Sequence, residues 1–273
     1  MSGAEVSAAR IADEALAALS QGRRISPFSS RIADFDMQAA YVVMAEIRRG
    51  RMARGDKPVG RKIGFTNRNM WREYNVDCPI WGDVYDTTLH DVSDAGSRFA
   101  LAALPEPRIE PEIVFKLAAA PQPGMNETDL VGCIQWVAQG FEVAQSIFPG
   151  WRFQGVDAVA GFGLHGALLV GKPLVIASKA DDLRQALQAI SLTLYCDGKE
   201  IDRGRGTNVL GGPLTALRHL VDMLALDKIN PPLAAGEIVT TGTLTRAFPI
   251  AAGQCWSTKL DGIELDGVSV TFG

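Results

Sequence analysis

Over residues 4–19 apolar side chains recur at threes and fours: Val6, Ile11, Ala12, Ala15, Leu16 and Leu19 fall near one stripe, and Gly22 follows. This spacing predicts an amphipathic helix ended by a glycine. Residues 36–55 repeat it through Met37, Ala40, Tyr41, Met44, Ile47 and Met52, with Asp36 as a cap and Gly50 and Gly55 in the end region. Together they predict a helical N-terminal subdomain over 1–56.

After residue 57 the pattern changes. "VGRKIGF", "RIEPEIVFKLA", "HGALLVG" and "LTLYCDGKEI" are short, β-rich and punctuated by glycine, the last with an Asp197-Gly198 hairpin signal. Two helices interrupt them. One starts from Thr128 in "ETDLVGCIQWVAQGFEVAQS", with "GFEVAQS" readable as its end or as a new strand. The other runs from Pro213, with Leu214, Leu217, Leu220, Val221 and Leu224 on its apolar side. The tail, 236–273, reads as strands and turns. Strands and helices do not alternate strictly, which disfavours Rossmann and TIM architectures. The order predicts an α+β fold whose mixed, curled sheet fills a second domain over 57–273. No phosphate-binding glycine motif stands between a strand and a helix, and "GRGTNVLGG" reads as a tight loop.

Composition narrows the function classes. The 273 residues are 47% hydrophobic and 21% charged, enough for a sizeable core. A net charge of −4 and a pI near 5.5 argue against nucleic acid or an acidic membrane surface as the main partner. The densest basic run, at 46–57, reads as a solvated helix end. Cys78, Cys133, Cys196 and Cys255 form no C-x-x-C pair and read as reduced thiols. The first residues have no apolar signal core, and no eighteen uncharged apolar residues run together, so a cytoplasmic protein is expected.

The candidate chemistry is acidic. In "RIEPEIV" an extended strand puts Glu110 and Glu112 on one face, their Cα atoms roughly 6.5–7 Å apart. Two explanations compete: a half-wetted strand face, or a hard cation such as Mg²⁺ that takes oxygen ligands. Glu142, between Phe141 and Val143, offers a third carboxylate. Three carboxylates without a cation repel each other. Lys62 in "GRKIGFTN" offers a positive charge that could donate to an oxyanion, or shuttle a proton if burial lowers its pKa.

On these residues the chain resembles the 2-keto-4-pentenoate hydratase and 4-oxalocrotonate decarboxylase family of the fumarylacetoacetate hydrolase superfamily. "GRKIGFTN" is similar to its G-x-K-x-G-[LF]-T-[NS] segment, "PRIEPEIVFKL" to its paired-glutamate strand, and "GFEVAQS" to the segment of its third metal glutamate. "VLGGPLTALRHLVDMLA" and "GEIVTTGTLTRAFPIAAGQ" resemble its C-terminal helix and Gly-Thr turn. The resemblance implies a Mg²⁺ or Mn²⁺ enzyme acting on a small 2-oxo or 2-hydroxydienoic acid, assembled as a homo-oligomer. It implies Glu110, Glu112 and Glu142 as metal ligands and Lys62 as a catalytic or oxyanion-binding group. Thr243 would contact the substrate carboxylate, with Thr66 lining the pocket.

The match breaks in two places. Where the family commonly reads like E-V-x-D-S-R, this chain has Gln145 and Ile147. Where a loop usually reads like A-D-N-A-S-S, this chain has "AGFGLHG", which makes His165 either a packed imidazole or a replacement acid, base or substrate ligand. As a catalytic group its loss would lower turnover and leave metal affinity intact. The leading expectation is a metal-dependent hydratase of meta-cleavage catabolism. Its rivals are a decarboxylase, with Arg203 or Arg205 receiving a far carboxylate, an acylpyruvate hydrolase using His165, and a catalytically silent relative.

Overall fold

The computed structural model describes residues 7–101, 104–176 and 180–273; Val6 lies outside them. The chain opens with helices α1 (Ala8–Ser20) and α2 (Met37–Ala53). Ser7 and Asp36 cap them, each side chain accepting a bond from the backbone N–H three residues on. They pack together at Gly50, where a Cβ would lie 2.8 Å from Leu16 Cδ1. The expected break near residue 56 falls between α2 and β1 (Pro58–Gly64), yet buried residues of both helices belong to the same apolar cluster as those of the sheet.

After β1 come α3 (Trp71–Tyr74), β2 (Ile80–Tyr85), β3 (Leu89–Asp91), β4 (Ser97–Phe99), β5 (Arg108–Leu117), α4 (Glu127–Gly132), β6 (Ile134–Ala144), α5 (Gly155–Ala160) and β7 (His165–Val170). Then follow β8 (Leu174–Val175), α6 (Ala180–Ala189), β9 (Ser191–Cys196), β10 (Lys199–Arg205), α7 (Pro213–Leu226), β11 (Ile238–Thr243), β12 (Phe248–Pro249), β13 (Cys255–Asp261) and β14 (Ser269–Phe272). Among the described residues, two sheets form. The larger runs β2-β1-β11-β5-β6-β7-β3, with β12 on β5 and β8 on β6; the smaller runs β10-β9-β13-β14-β4. β1 pairs β11 in parallel and β2 in antiparallel fashion, so the sheet is mixed as expected. The Asp197-Gly198 turn joins β9 to β10 with both residues at positive φ.

One expected element is corrected. Asn126, not Thr128, caps α4, and the helix stops at Gly132. The residues from Ile134 to Ala144 then form a central strand buried along most of its length, which its run of apolar residues conceals, because such a strand shows no alternation. α3, α5 and α6 were also not expected; two of them are too short to show a period. α7 forms as expected, its apolar side in the core. The stretch Gly206–Leu226 is long and apolar enough to cross a membrane by composition, but half of it is buried within the fold.

Two features shape the centre of the larger sheet. Pro111 lies mid-strand in β5, where a missing N–H ordinarily breaks a ladder. Here it faces the gap between β11 and β12, where the ladder on that side is already interrupted, and its carbonyl accepts from Leu244 N at 2.9 Å. Opposite it, the β5–β11 register shifts between Thr240 and Thr243. That irregularity turns the "TTGT" backbone towards Glu112.

Candidate active site

β5 and β6 pair so that Glu110 stands directly opposite Glu142, and Glu112 opposite Gly140. The shared-face expectation for Glu110 and Glu112 therefore holds, and the register adds the third acid. One carboxylate oxygen from each of Glu110, Glu112 and Glu142 lies within 4.8 Å of the others. Glu112 and Glu142 are fully buried and Glu110 is half-buried.

β1 delivers the countercharge. Lys62 is 2% exposed, and its Nζ lies 3.2 Å from Glu142 Oε2. Alternation along the strand sends Arg61 to the other face, where it meets Asp83 at 3.2 Å and Glu237 at 3.4 Å. Burial alone would depress the Lys62 ammonium, but Glu142, Glu110 and Glu112 outweigh it and push the pKa up. In the ion-free chain Lys62 is thus held charged, as suits a hydrogen-bond donor.

The acids divide. Burial, opposed by Lys62 and reinforced by Glu142, pushes Glu110 up to about 7. Burial and repulsion from Glu142 and Glu110 push Glu112 well above the usual range. Burial also penalises Glu142, but Lys62 and His165 overcome it and hold that carboxyl low. The ionised state of the trio is therefore expensive without a further positive charge.

The hydrogen bonds say where that charge fits. Glu112 Oε2 accepts from Gly242 N at 2.7 Å and from the Thr240 hydroxyl, whereas Glu112 Oε1 is buried with no hydrogen-bond partner. Glu142 Oε1 faces His165 Nδ1 at 3.0 Å, whereas Glu142 Oε2, though near Lys62, makes no well-aligned hydrogen bond. Unsatisfied buried carboxylate oxygens are costly, and a divalent cation with oxygen ligands removes that cost. The residues present fit such an ion.

A cavity opens onto Glu110, Glu112 and Lys62. Thr66 and Thr243 both line it, as the resemblance implied. Thr243 donates to Thr245 O at 3.1 Å. Thr66 packs on Gly242, whose φ of +96° and lack of a Cβ permit the approach; a Cβ would sit 2.1 Å from Thr66 Oγ1. The far wall is apolar, with Phe65, Tyr74, Trp151, Phe153 and Leu164.

His165 sits elsewhere than a substrate-facing base would. Leu164 lines the cavity, while His165 lies behind Glu142, its Nε2 2.9 Å from Thr88 Oγ1. Just before it, Phe162, Gly163 and Leu164 all have positive φ. Arg203 is bound to Glu200 on the outer strand β10, and neither it nor Arg205 lines the cavity. Arg108, which the sequence did not single out, does line it; its guanidinium stacks 4.2 Å from the Trp151 ring centre. Its place two residues before Glu110 was the available signal. Thr88 and Thr240 had none, because their roles depend on tertiary contacts.

No family model matches the chain. Among curated proteins it is 31% identical to 2-keto-4-pentenoate hydratase 1 of Dechloromonas aromatica (strain RCB) over 258 residues, 94% of this chain and 93% of that one. It is 29% identical to 2-hydroxyhexa-2,4-dienoate hydratase of Comamonas testosteroni, covering 93% and 94%. Among solved structures, the 4-oxalocrotonate decarboxylase of Pseudomonas putida G7 complexed with magnesium and adipate superposes with a TM-score of 0.88 at 26% identity, covering 97% of each chain. With similarity this extensive to hydratases and a decarboxylase alike, the chain belongs to the 2-keto-4-pentenoate hydratase and 4-oxalocrotonate decarboxylase family of the fumarylacetoacetate hydrolase superfamily.

Proposed function

We propose that the protein is a divalent-metal-dependent lyase that hydrates a 2-hydroxy-2,4-dienoate in aromatic-compound catabolism, with Mg²⁺ or Mn²⁺ as its ion. One observation carries the reading: three carboxylates converge on one point at the base of a cavity, and two of them keep a buried oxygen without a hydrogen-bond partner. The hydratase relatives supply the reaction class. They also support a cytoplasmic enzyme; the assembly of identical subunits rests on the family resemblance and is counted by sedimentation.

Glu110, Glu112 and Glu142 would hold the ion, which when bound would polarise the 2-oxo group and stabilise negative charge that develops there. Lys62, charged and buried beside them, donates to an oxyanion at the same end of the cavity and offsets the acids' repulsion. Thr66, whose hydroxyl bonds no described residue, is free to donate to the substrate carboxylate. Thr243 has its proton engaged with Thr245 and serves as an acceptor or spacer. The aromatic wall binds the hydrocarbon part of the acid and excludes bulk water.

The test is loss of the dienoate's ultraviolet absorbance with purified protein, with the ion or with chelator, beside a Glu110→Gln, Glu112→Gln variant. Ion-dependent loss that the variant lacks supports the reading. Undiminished loss under chelator contradicts it.

A second reading, decarboxylation of a 4-oxalocrotonate-type diacid, is favoured by Arg108. It is a cation in the cavity, stacked on Trp151, with no carboxylate partner among the described residues. Arg108→Gln separates the two: it slows a diacid far more than a monoacid if the second carboxylate binds there. The hydrolase reading loses support, because His165 does not face the cavity.

A further inference from the structure

We propose that Thr88 and His165 are positioning residues that make Glu142 a one-oxygen ligand, biasing the site towards six-coordinate ions such as Mg²⁺ and Mn²⁺ over Ca²⁺. This rests on the metal-dependent reading above.

Both imidazole nitrogens are engaged, Nδ1 with Glu142 Oε1 at 3.0 Å and Nε2 with Thr88 Oγ1 at 2.9 Å. Thr88 is itself held by Tyr85: its hydroxyl oxygen accepts from Tyr85 N and lies close to Tyr85 O, both at 3.1 Å. The Gln145 amide donates to the His165 carbonyl at 3.3 Å. The ring therefore has little freedom to turn, and the carboxylate it grips is completely buried. Glu112 has the same arrangement from the other side, with Thr240 and Gly242 on Oε2 and nothing on Oε1. On Glu112 protein donors occupy one oxygen and leave the other without a partner; on Glu142, His165 holds one oxygen and the other meets only the Lys62 ammonium at 3.2 Å, with no well-aligned hydrogen bond.

That division is a filter. Mg²⁺ demands near-octahedral geometry and keeps several waters, whereas Ca²⁺ takes six to eight oxygens and often both from one carboxylate. For Glu142 to offer both, the oxygen that His165 holds must also turn to the ion, so the larger ion weakens a buried bond that the smaller one leaves undisturbed. Outer hydrogen bonds of this kind typically change metal affinity about 10–100-fold.

The experiment titrates Mn²⁺, with free ion counted by paramagnetic resonance, and competes it with Mg²⁺ and Ca²⁺ without substrate. It compares the natural chain with His165→Ala, His165→Asn and Thr88→Val. The Kd ratio of Ca²⁺ to Mn²⁺ should fall about tenfold in His165→Ala and by a smaller factor in Thr88→Val. His165→Asn, whose amide nitrogen stands where Nδ1 does, should restore most of it. If His165→Ala does not fold, Thr88→Val and His165→Asn carry the comparison. An unchanged ratio in folded variants that bind Mn²⁺ overturns the proposal alone. A natural chain that binds no divalent ion overturns this proposal and the functional reading together.

Discussion

Glu110 and Glu142 face each other across β5 and β6 as a directly opposed antiparallel pair. Side chains in that relation have Cβ atoms about 4.5–5.5 Å apart, and like charges placed so destabilise a sheet. The binding geometry is thus maintained against the stability of the ion-free chain.

Glu110→Gln should therefore stabilise the ion-free protein at pH 8 by about 1 kcal/mol, raising Tm by about 2–4 °C. The same change should abolish tight divalent binding. Thermal unfolding with chelator and with Mn²⁺ checks both; a Tm that falls under chelator contradicts the repulsion argument.

The pH dependence follows from the raised carboxyls. Glu110 binds its proton up to about pH 7 in the folded chain and only to about 4.5 when unfolded. The folded state holds more protons across that window, so its contribution to ion-free stability falls as pH rises from about 4.5 to 7. Glu142, held low, contributes oppositely: its stabilisation is present above the ordinary carboxyl pKa and is lost as pH falls through its own lower one. A bound ion competes with the protons on Glu110 and Glu112. The Tm gain on adding Mn²⁺ should be larger at pH 8 than at pH 6, and an equal gain would refute the competition.

Lys62→Met removes the cation beside a buried, ionised Glu142. Breaking a buried pair by deleting one partner costs about 3–5 kcal/mol, much of which a bound ion should return. Turnover should still fall by about 100-fold or more, since the donor is gone. Calorimetry with and without the ion, beside the dienoate assay, separates the two effects.

Gly242→Ala forces a side chain onto a backbone at φ +96° and a Cβ to within 2.1 Å of Thr66 Oγ1. Strain of this kind costs about 1–3 kcal/mol. Displacing the Gly242 N–H from Glu112 Oε2 should also weaken Mn²⁺ binding by about tenfold or more. Affinity equal to that of the natural chain would show that this backbone bond does not position Glu112.

The pairing of Glu110 with Glu112 was legible because a strand's period is fixed at two. The register that sets Glu142 against Glu110 was not, because it depends on tertiary pairing that neither strand encodes alone. The α4–β6 boundary was hidden for a related reason. "IQWVAQG" belongs to a strand buried along most of its length, and its largely apolar run fits helix and strand alike. His165 was found as a residue, but its place behind Glu142 and against Thr88 was not legible, because it depends on tertiary contacts. Metal affinity should accordingly respond to its loss, contrary to the expectation for a substrate-facing base.

The three-glutamate site with its ion is expected to add water to a dienoate. The decisive measurement is mass spectrometry of the product formed from 2-hydroxypenta-2,4-dienoate with Mg²⁺, beside the same mixture with chelator. A product heavier by one water should appear only with the ion. Unchanged substrate, from protein shown to hold the ion, would rule the hydratase out.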